Sequence, residues 1–337
     1  MWQTFPLVSQ YLQGCTASGL HEARLANEEF KKYNLAAEVH TYSPAFKENE
    51  IDEIAKISNH IVFNSPKQLK RFIGKVKEIN PKIHVSLRVN PEVSSSPVDI
   101  YNPCGLYSRL GTTLKNFDVS LLEHLDGLNF HALCEQNVDA LAEVLMSFEE
   151  NFSQYFKNLK YINFGGGHHI TKKDYDTEKL IQIIKTFREK YNVEVYLEPG
   201  EAVGWEVGDL VTTVLDTFTN GMRVAILDTS AEAHMPDTLA MPYRAEIEGA
   251  ANPSEKKFTY RLGGNTCLAG DIIGDYSFNN ELQIGDRLII KDQIHYTFVK
   301  NTTFNGIKLP SLVFQRENGE VELIKEFGYE DYKERLS

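Results

Sequence analysis

The stretch HIVFNSPKQLKRFIGKVKEINPKIHVSLRVN, residues 60–90, decides the fold. Two short apolar runs, HIVF at 60–63 and HVSLRV at 84–89, flank PKQLKRFIGKVKEI, whose apolar residues recur at helical spacing, with Ser65 as its N-cap. Strand, helix and strand in this order read as one βα repeat of a parallel sheet. The alternation continues in both directions. Strands are expected at GCTA (14–17), VHTYS (39–43), GLNFHAL (127–133), YINF (161–164) and VEVYL (193–197), which makes seven with the two above. Helical periods fill SGLHEARLANEEFKKY, VDALAEVLMSFEENFSQYF and DTEKLIQIIKTFREKY, with Ser18 as a second N-cap. Residues 91–113 are irregular and long enough to be a functional loop.

Seven strands leave a (β/α)8 barrel one short, with unpaired N–H and C=O groups along a seam. The helical text WQTFPLVSQYLQG follows Met1 directly, so the expectation is an α/β barrel that lacks its first strand. An open doubly wound sheet of seven strands is the alternative, since its edges need no closing. From about 209 the crossover helices stop. DLVTTVLDTF, RVAILDTS, RAEIEGA, KFTYRL, DRLIIKD and a hairpin LVFQRENGEVELIKEF turning at Asn318 and Gly319 read as an antiparallel β domain. The expected division is 1–208 for the barrel and 209–337 for the β domain.

The 337 residues carry 35 Lys and Arg against 47 Asp and Glu, a net charge of −12, which disfavours nucleic acid and acidic membrane surfaces and suits a small cationic substrate. Hydrophobic residues make up 42%, ample for a core and against disorder. No run is long and apolar enough to span a bilayer, and the opening residues lack a signal-peptide pattern, so a cytoplasmic location is expected. Cys15, Cys104, Cys134 and Cys267 show no CxxC spacing, so free thiols are expected rather than disulfides or structural zinc.

In βα barrels chemistry sits where strands end. Gly165, Gly166 and Gly167 follow YINF and could cradle a phosphate, although a glycine run alone more often makes a tight turn. Glu198 and Glu201 stand in EPGEAVGW after VEVYL, where a carboxylate suits a protonated heterocycle or a cationic substrate; a helix N-terminal glutamate is the plainer reading of Glu201. Arg88 ends HVSLRV and His131 lies in GLNFHALCE. A lone strand histidine is usually a hydrogen-bonded core residue and such an arginine half of an ion pair, so both gain weight only in company. His168 and His169 lack the spacing of a metal site, and no metal is expected. In the β-rich half, Cys267 and Asp271 share GGNTCLAGD, Tyr296 lies in IHYTFVKNTTFNG, and Glu232, His234 and Asp237 crowd DTSAEAHMPDT.

CTASGLHEA, VHTYSPAFKE, YNPCGLYSRLG, FHALCE, NFGGGHHIT, YLEPGEAVGW, DTSAEAHMPD, GNTCLAGD and IHYTFVKNTTFNG together resemble the carboxynorspermidine and carboxyspermidine decarboxylases, members of the fold-type III pyridoxal-phosphate decarboxylases, over essentially the whole chain. The resemblance implies an alanine-racemase-like, TIM-type barrel followed by a β domain, a homodimer with shared active sites, and decarboxylation of a carboxylated triamine in polyamine biosynthesis. It implies that Gly165, Gly166 and Gly167 cradle the phosphate of pyridoxal phosphate and that Glu198 pairs with its ring nitrogen. His131 would stack on the ring, Arg88 lie near its edge, Glu22 sit close to the imine and Tyr296 reach the phosphate. Cys267 would cross the dimer to protonate the product carbon. Related decarboxylases have EPGR where this chain has EPGE, so Glu201, with Asp237, is implied to bind substrate ammonium groups. The family's cofactor lysine ends the first barrel strand, and the expectation is that it lies upstream of Met1, with Met1 an internal methionine. Two other readings stay open: a non-catalytic paralogue that pairs with a complete one, and another fold-type III amino-acid decarboxylase.

Overall fold

Seven short strands lie side by side in chain order: β1 (Gly14–Ala17), β2 (Glu38–Tyr42), β3 (His60–Phe63), β4 (His84–Arg88), β5 (Gly127–Asn129), β6 (Tyr161–Asn163) and β7 (Glu194–Tyr196). Each pairs parallel with the next. The order never reverses, whereas a doubly wound sheet needs a reversal, so the open-sheet alternative is excluded. The computed structural model describes residues 2–96, 98–241 and 243–337. Their contacts divide into one unit ending at Val203 and another, Gly204–Ser337.

Helices connect the strands where the periodicity places them. Pro66–Ile79 starts at Ser65, whose Oγ accepts from the Gln68 N–H. Val138–Phe152 and Thr177–Tyr191 carry the next two crossovers. Ser18 is not a cap: Gly19 stands at the N-cap of Leu20–Glu28, and the Ser18 N–H donates to the Glu22 carboxylate at 2.6 Å. Helix Ile51–Ile57 was not expected, because two turns show too little of a period. Between 91 and 113 the only helical element among the described residues is the single turn Asp99–Tyr101.

Side chains alternate along each strand. Ile61, Phe63, Val85, Leu87, Leu128 and Ile162 pack with Leu69, Phe72, Val76, Leu141, Val144 and Phe148 of the helices, which form the apolar core. The opposite face carries Glu38, His40, His60, His84, Ser86, Arg88, Tyr161, Asn163 and Tyr196. There the rings of His40 on β2 and Tyr196 on β7 have centroids 4.9 Å apart, as do His60 and Tyr161. Strands β2 and β7 are five steps apart, about 24 Å in a flat sheet. The sheet is therefore curled into a partial barrel, with this polar and aromatic face inside. Gly127 makes room at the floor, since a Cβ there would meet the Tyr161 ring at 2.5 Å.

The second unit departs from the antiparallel sheet expected. Its strands are β8 (Leu210–Asn220), β9 (Met222–Leu227), β10 (Phe258–Gly263), β11 (Ile272–Phe278) and β12 (Arg287–Ile290), in the order β11-β10-β9-β8-β12. Strands β9 and β10 run parallel, which makes the sheet mixed. RAEIEGA contributes only a bridge, Ile247 to Ile290, while β11 was missed because Gly274 and Asp275 interrupt its apolar pattern. The hairpin β13 (Leu312–Gln315) and β14 (Val321–Lys325) forms as expected, with Gly319 at positive φ in its turn.

Gly127→Ala is expected to destabilise the first unit by about 1–3 kcal/mol by driving a methyl into the Tyr161 ring. Gly74→Ala, on a helix position where a Cβ meets nothing within 4 Å, should stabilise by about 0.5–1 kcal/mol. Urea midpoints of the two variants, moving in opposite directions, check both.

Candidate active site

The barrel-side residues singled out by sequence meet at the ends of β4 to β7. Arg88 ends β4, is buried, and donates from Nη2 to the His131 carbonyl at 3.0 Å. Its guanidinium also lies 4.7 Å from the centroid of the Tyr42 ring. His131, just past β5, accepts the Gly166 N–H on Nδ1 at 3.3 Å, which leaves the proton of the neutral ring on Nε2. Burial, and then the charge of Arg88, push the imidazole down to about 3. It is a neutral flat ring at physiological pH, suited to stacking and unsuited to donating a proton.

The glycine run has a packing reason of its own. Gly165 and Gly167 have positive φ, and a Cβ would meet Phe130 O at 2.3 Å from Gly165, Glu198 O at 2.5 Å from Gly166 and Leu133 O at 2.2 Å from Gly167. The turn is pressed against the backbone that follows β5 and β7, and only glycine allows it. Two of its amides are engaged, Gly165 N–H by Asn163 Oδ1 at 2.8 Å and Gly166 N–H by His131.

Asn163 is the residue the sequence reading missed. Buried at the end of β6, it accepts from Gly165 with its oxygen and donates from Nδ2 to Glu198 Oε1 at 2.8 Å. The Glu198 N–H in turn donates to Gly165 O at 2.8 Å. One amide thus fixes both the glycine turn and the carboxylate. Burial raises the Glu198 carboxyl above its ordinary value, opposed by Asn163 and by Arg88. Nothing in YINF marks its asparagine as special, since asparagine at a strand end is common.

Glu201 lies with Glu135 and His169, their oxygen and nitrogen ligand atoms all within 4.8 Å of one another. Glu135 has φ 52°, an uncommon conformation for a non-glycine residue. The Glu22 carboxylate accepts the Ser18 N–H, and the residue is exposed.

In the second unit the buried carboxylate of Asp271 gathers five donors. Oδ1 accepts from Ala231 N–H at 2.7 Å and Glu232 N–H at 3.3 Å. Oδ2 accepts from Ser230 Oγ at 2.9 Å, Thr266 Oγ1 at 2.7 Å and Thr266 N–H at 3.2 Å. This joins the DTSAE segment to the loop of Cys267, whose thiol is exposed and whose N–H donates to Asn305 Oδ1 at 2.7 Å. Asp237 holds an ammonium group already, that of Lys300, at 2.8 Å from both carboxylate oxygens; Lys300 Nζ also lies 5.1 Å from the centroid of the Tyr296 ring. His234 is buried, with Nδ1 3.0 Å from Thr229 Oγ1.

Between pH 6.5 and about 3 the unfolded chain protonates His131 while the folded one does not, so stability is expected to fall as pH drops through that window. Urea unfolding at pH 7 and pH 5 should show it, with a shallower pH slope in His131→Gln. Asn163→Ala, which frees the Gly165 amide and the Glu198 carboxylate, should cost about 1–3 kcal/mol in the same assay. Asp271→Asn turns an NH2 toward donors and is expected to cost about 3 kcal/mol and to speed thiol labelling of Cys267.

Residues 39–293 match the family described as pyridoxal-dependent decarboxylase, C-terminal sheet domain. A carboxynorspermidine/carboxyspermidine decarboxylase of Campylobacter jejuni is 52% identical over 98% of this chain and 87% of its own length. A carboxyaminopropylagmatine decarboxylase of Synechocystis is 43% identical over 100% of this chain and 86% of its own. The crystal structure of C. jejuni carboxynorspermidine decarboxylase complexed with norspermidine superposes with a TM-score of 0.90 at 50% identity, covering 99% of this chain and 89% of that one. With a matched family region across most of its length and these relatives, the chain belongs to the pyridoxal-dependent decarboxylases, in the group of the carboxynorspermidine/carboxyspermidine enzymes.

Proposed function

We propose that this protein decarboxylates carboxynorspermidine or carboxyspermidine to the corresponding triamine, as a cytoplasmic homodimer that uses pyridoxal phosphate. The observation that carries the reading is 52% identity across almost the whole chain, combined with a half-buried carboxylate, Glu198, held beside a glycine turn at the barrel mouth.

The residues present fit the cofactor. Glu198 Oε1 is committed to Asn163, while Oε2 has no hydrogen-bond partner among the described residues and would accept from a protonated ring nitrogen. A carboxyl raised by burial gains most from such a cation, which restores its charged form. The neutral ring of His131 would support the face of the cofactor, and the Gly167 amide, which unlike its two neighbours has no hydrogen-bond partner among the described residues, would donate to a phosphate oxygen. Pyridoxal phosphate supplies the electron sink for the bond that releases CO2. Cys267 is the proposed proton donor to the product carbon, contributed by the second subunit. On the substrate side, Glu201 and Glu135 bring two carboxylates together, a field that attracts an ammonium group and repels a carboxylate.

The test is CO2 release, in the presence of pyridoxal phosphate, from carboxynorspermidine, carboxyspermidine, carboxyaminopropylagmatine and diaminopimelate. Turnover of either carboxylated triamine supports the reading. Cofactor-loaded protein that turns over none of the four supports the non-catalytic paralogue instead, and preference for diaminopimelate overturns the substrate. Cys267→Ser is expected to lower kcat by about 10²–10⁴ with cofactor binding intact. Glu201→Arg should raise KM for the triamine without weakening the cofactor's absorbance, and equal loss of both would remove Glu201 from substrate binding.

A further inference from the structure

The barrel floor, at the opposite ends of the strands from the candidate active site, holds a second set of chemically loaded residues. Glu38 and His40 lie two apart on β2 and so face the same interior side. In register with His40 is His60, the first residue of β3, and in register with His60 is His84, the first of β4. The Glu38 Oε2 atom is 3.1 Å from His40 Nε2 and 3.6 Å from His60 Nε2. His60 is 1% exposed, and neither of its ring nitrogens has a hydrogen-bond partner among the described residues. A buried polar side chain without a partner requires an explanation, and an ion is one.

We propose that Glu38, His40 and His60 form a site for a divalent transition-metal cation of the zinc class on the barrel floor. In a tetrahedral zinc site with bonds of 2.0–2.1 Å, ligand atoms sit about 3.3 Å apart. The two separations measured from Glu38 bracket that value, and the three ligand atoms all lie within 4.8 Å of one another. Two imidazoles and one carboxylate select zinc, cobalt or nickel over magnesium and calcium, which prefer all-oxygen shells. The fourth position falls to water. The side chain of Glu38 is 34% exposed, which gives the ion a way in.

The rings of His40 and His60 now stack, with centroids 3.8 Å apart and planes 16° from parallel. A shared ion would turn them until both Nε2 lone pairs point at it.

The experiment is calorimetric titration of chelator-stripped protein with Zn2+, with Mg2+ as the control. One Zn2+ per chain and no Mg2+ binding are expected. Glu38→Gln and His40→Gln should each weaken Zn2+ binding at least about tenfold. Glu201→Gln, in the other cluster that pairs carboxylates with a histidine, should leave it unchanged. Loss of binding in Glu201→Gln, unchanged binding in both floor variants, or no binding at all overturns the site. Where a floor variant does not fold by circular dichroism, Co2+ in the unaltered protein decides. Intense visible bands of a four-coordinate ion support the proposal, and the pale spectrum of a six-coordinate one defeats it.

Discussion

Everything at the barrel mouth depends on how the floor is filled. A seven-stranded parallel sheet with sequential order has no intrinsic need to close, and inward-facing side chains that touch across the sheet help to hold its curl. Here the contacts are of His40 and His60 with Tyr196 and of His60 with Tyr161, all with ring centroids within 5.4 Å. Tyr161 reaches across because Gly127 beside it has no side chain. The curl turns the strand ends toward one space, so the charge of Arg88 on β4 is felt by Glu198 beyond β7, three strands away. On this argument the floor is part of the apparatus that positions the mouth.

That arrangement inverts the usual sense of inside and outside. The apolar core of the first unit lies between sheet and helices, whereas the barrel interior is polar from floor to rim. An interior of histidine, tyrosine, asparagine and serine is costly to desolvate unless its groups are paired. At the rim Asn163 satisfies Gly165 and Glu198, and His131 satisfies Gly166. At the floor neither ring nitrogen of His60 has a hydrogen-bond partner among the described residues.

The sequence was legible where one residue type has one job. Period-2 and period-3.6 patterns located all seven strands and the long helices, because burial on one face is the only way such segments hold together. Asn163 was not legible, since its importance arises from two neighbours, Gly165 and Glu198, on different segments. His40 and His60 were passed over for the same reason: each is a lone strand histidine in its own phrase, and only strand register places them together. The glycine run was legible as glycine but ambiguous in cause, and the structure supplies a packing cause that acts whether or not an anion binds. In the second unit, β10 pairs parallel with β9 and antiparallel with β11, a choice that local propensity does not encode.

The charge balance of the candidate substrate residues bears on where discrimination arises. Asp237 and Glu201 looked equivalent as acids facing a polyamine. The structure separates them, because Asp237 is neutralised by Lys300 through both oxygens. An incoming ammonium group would have to displace that lysine and gain little. Glu201 instead shares its surroundings with a second carboxylate, Glu135, and with His169, so negative charge there is concentrated. Two neighbouring carboxylates repel, and a cation that settles between them relieves the repulsion while adding its own attraction. A substrate with a carboxylate at that position meets the same field with opposite sign. If the proposed reaction holds, selection for a polyamine over an amino acid therefore falls on Glu201 and Glu135, and Asp237 is left to anchor the segment carrying Tyr296 and Lys300.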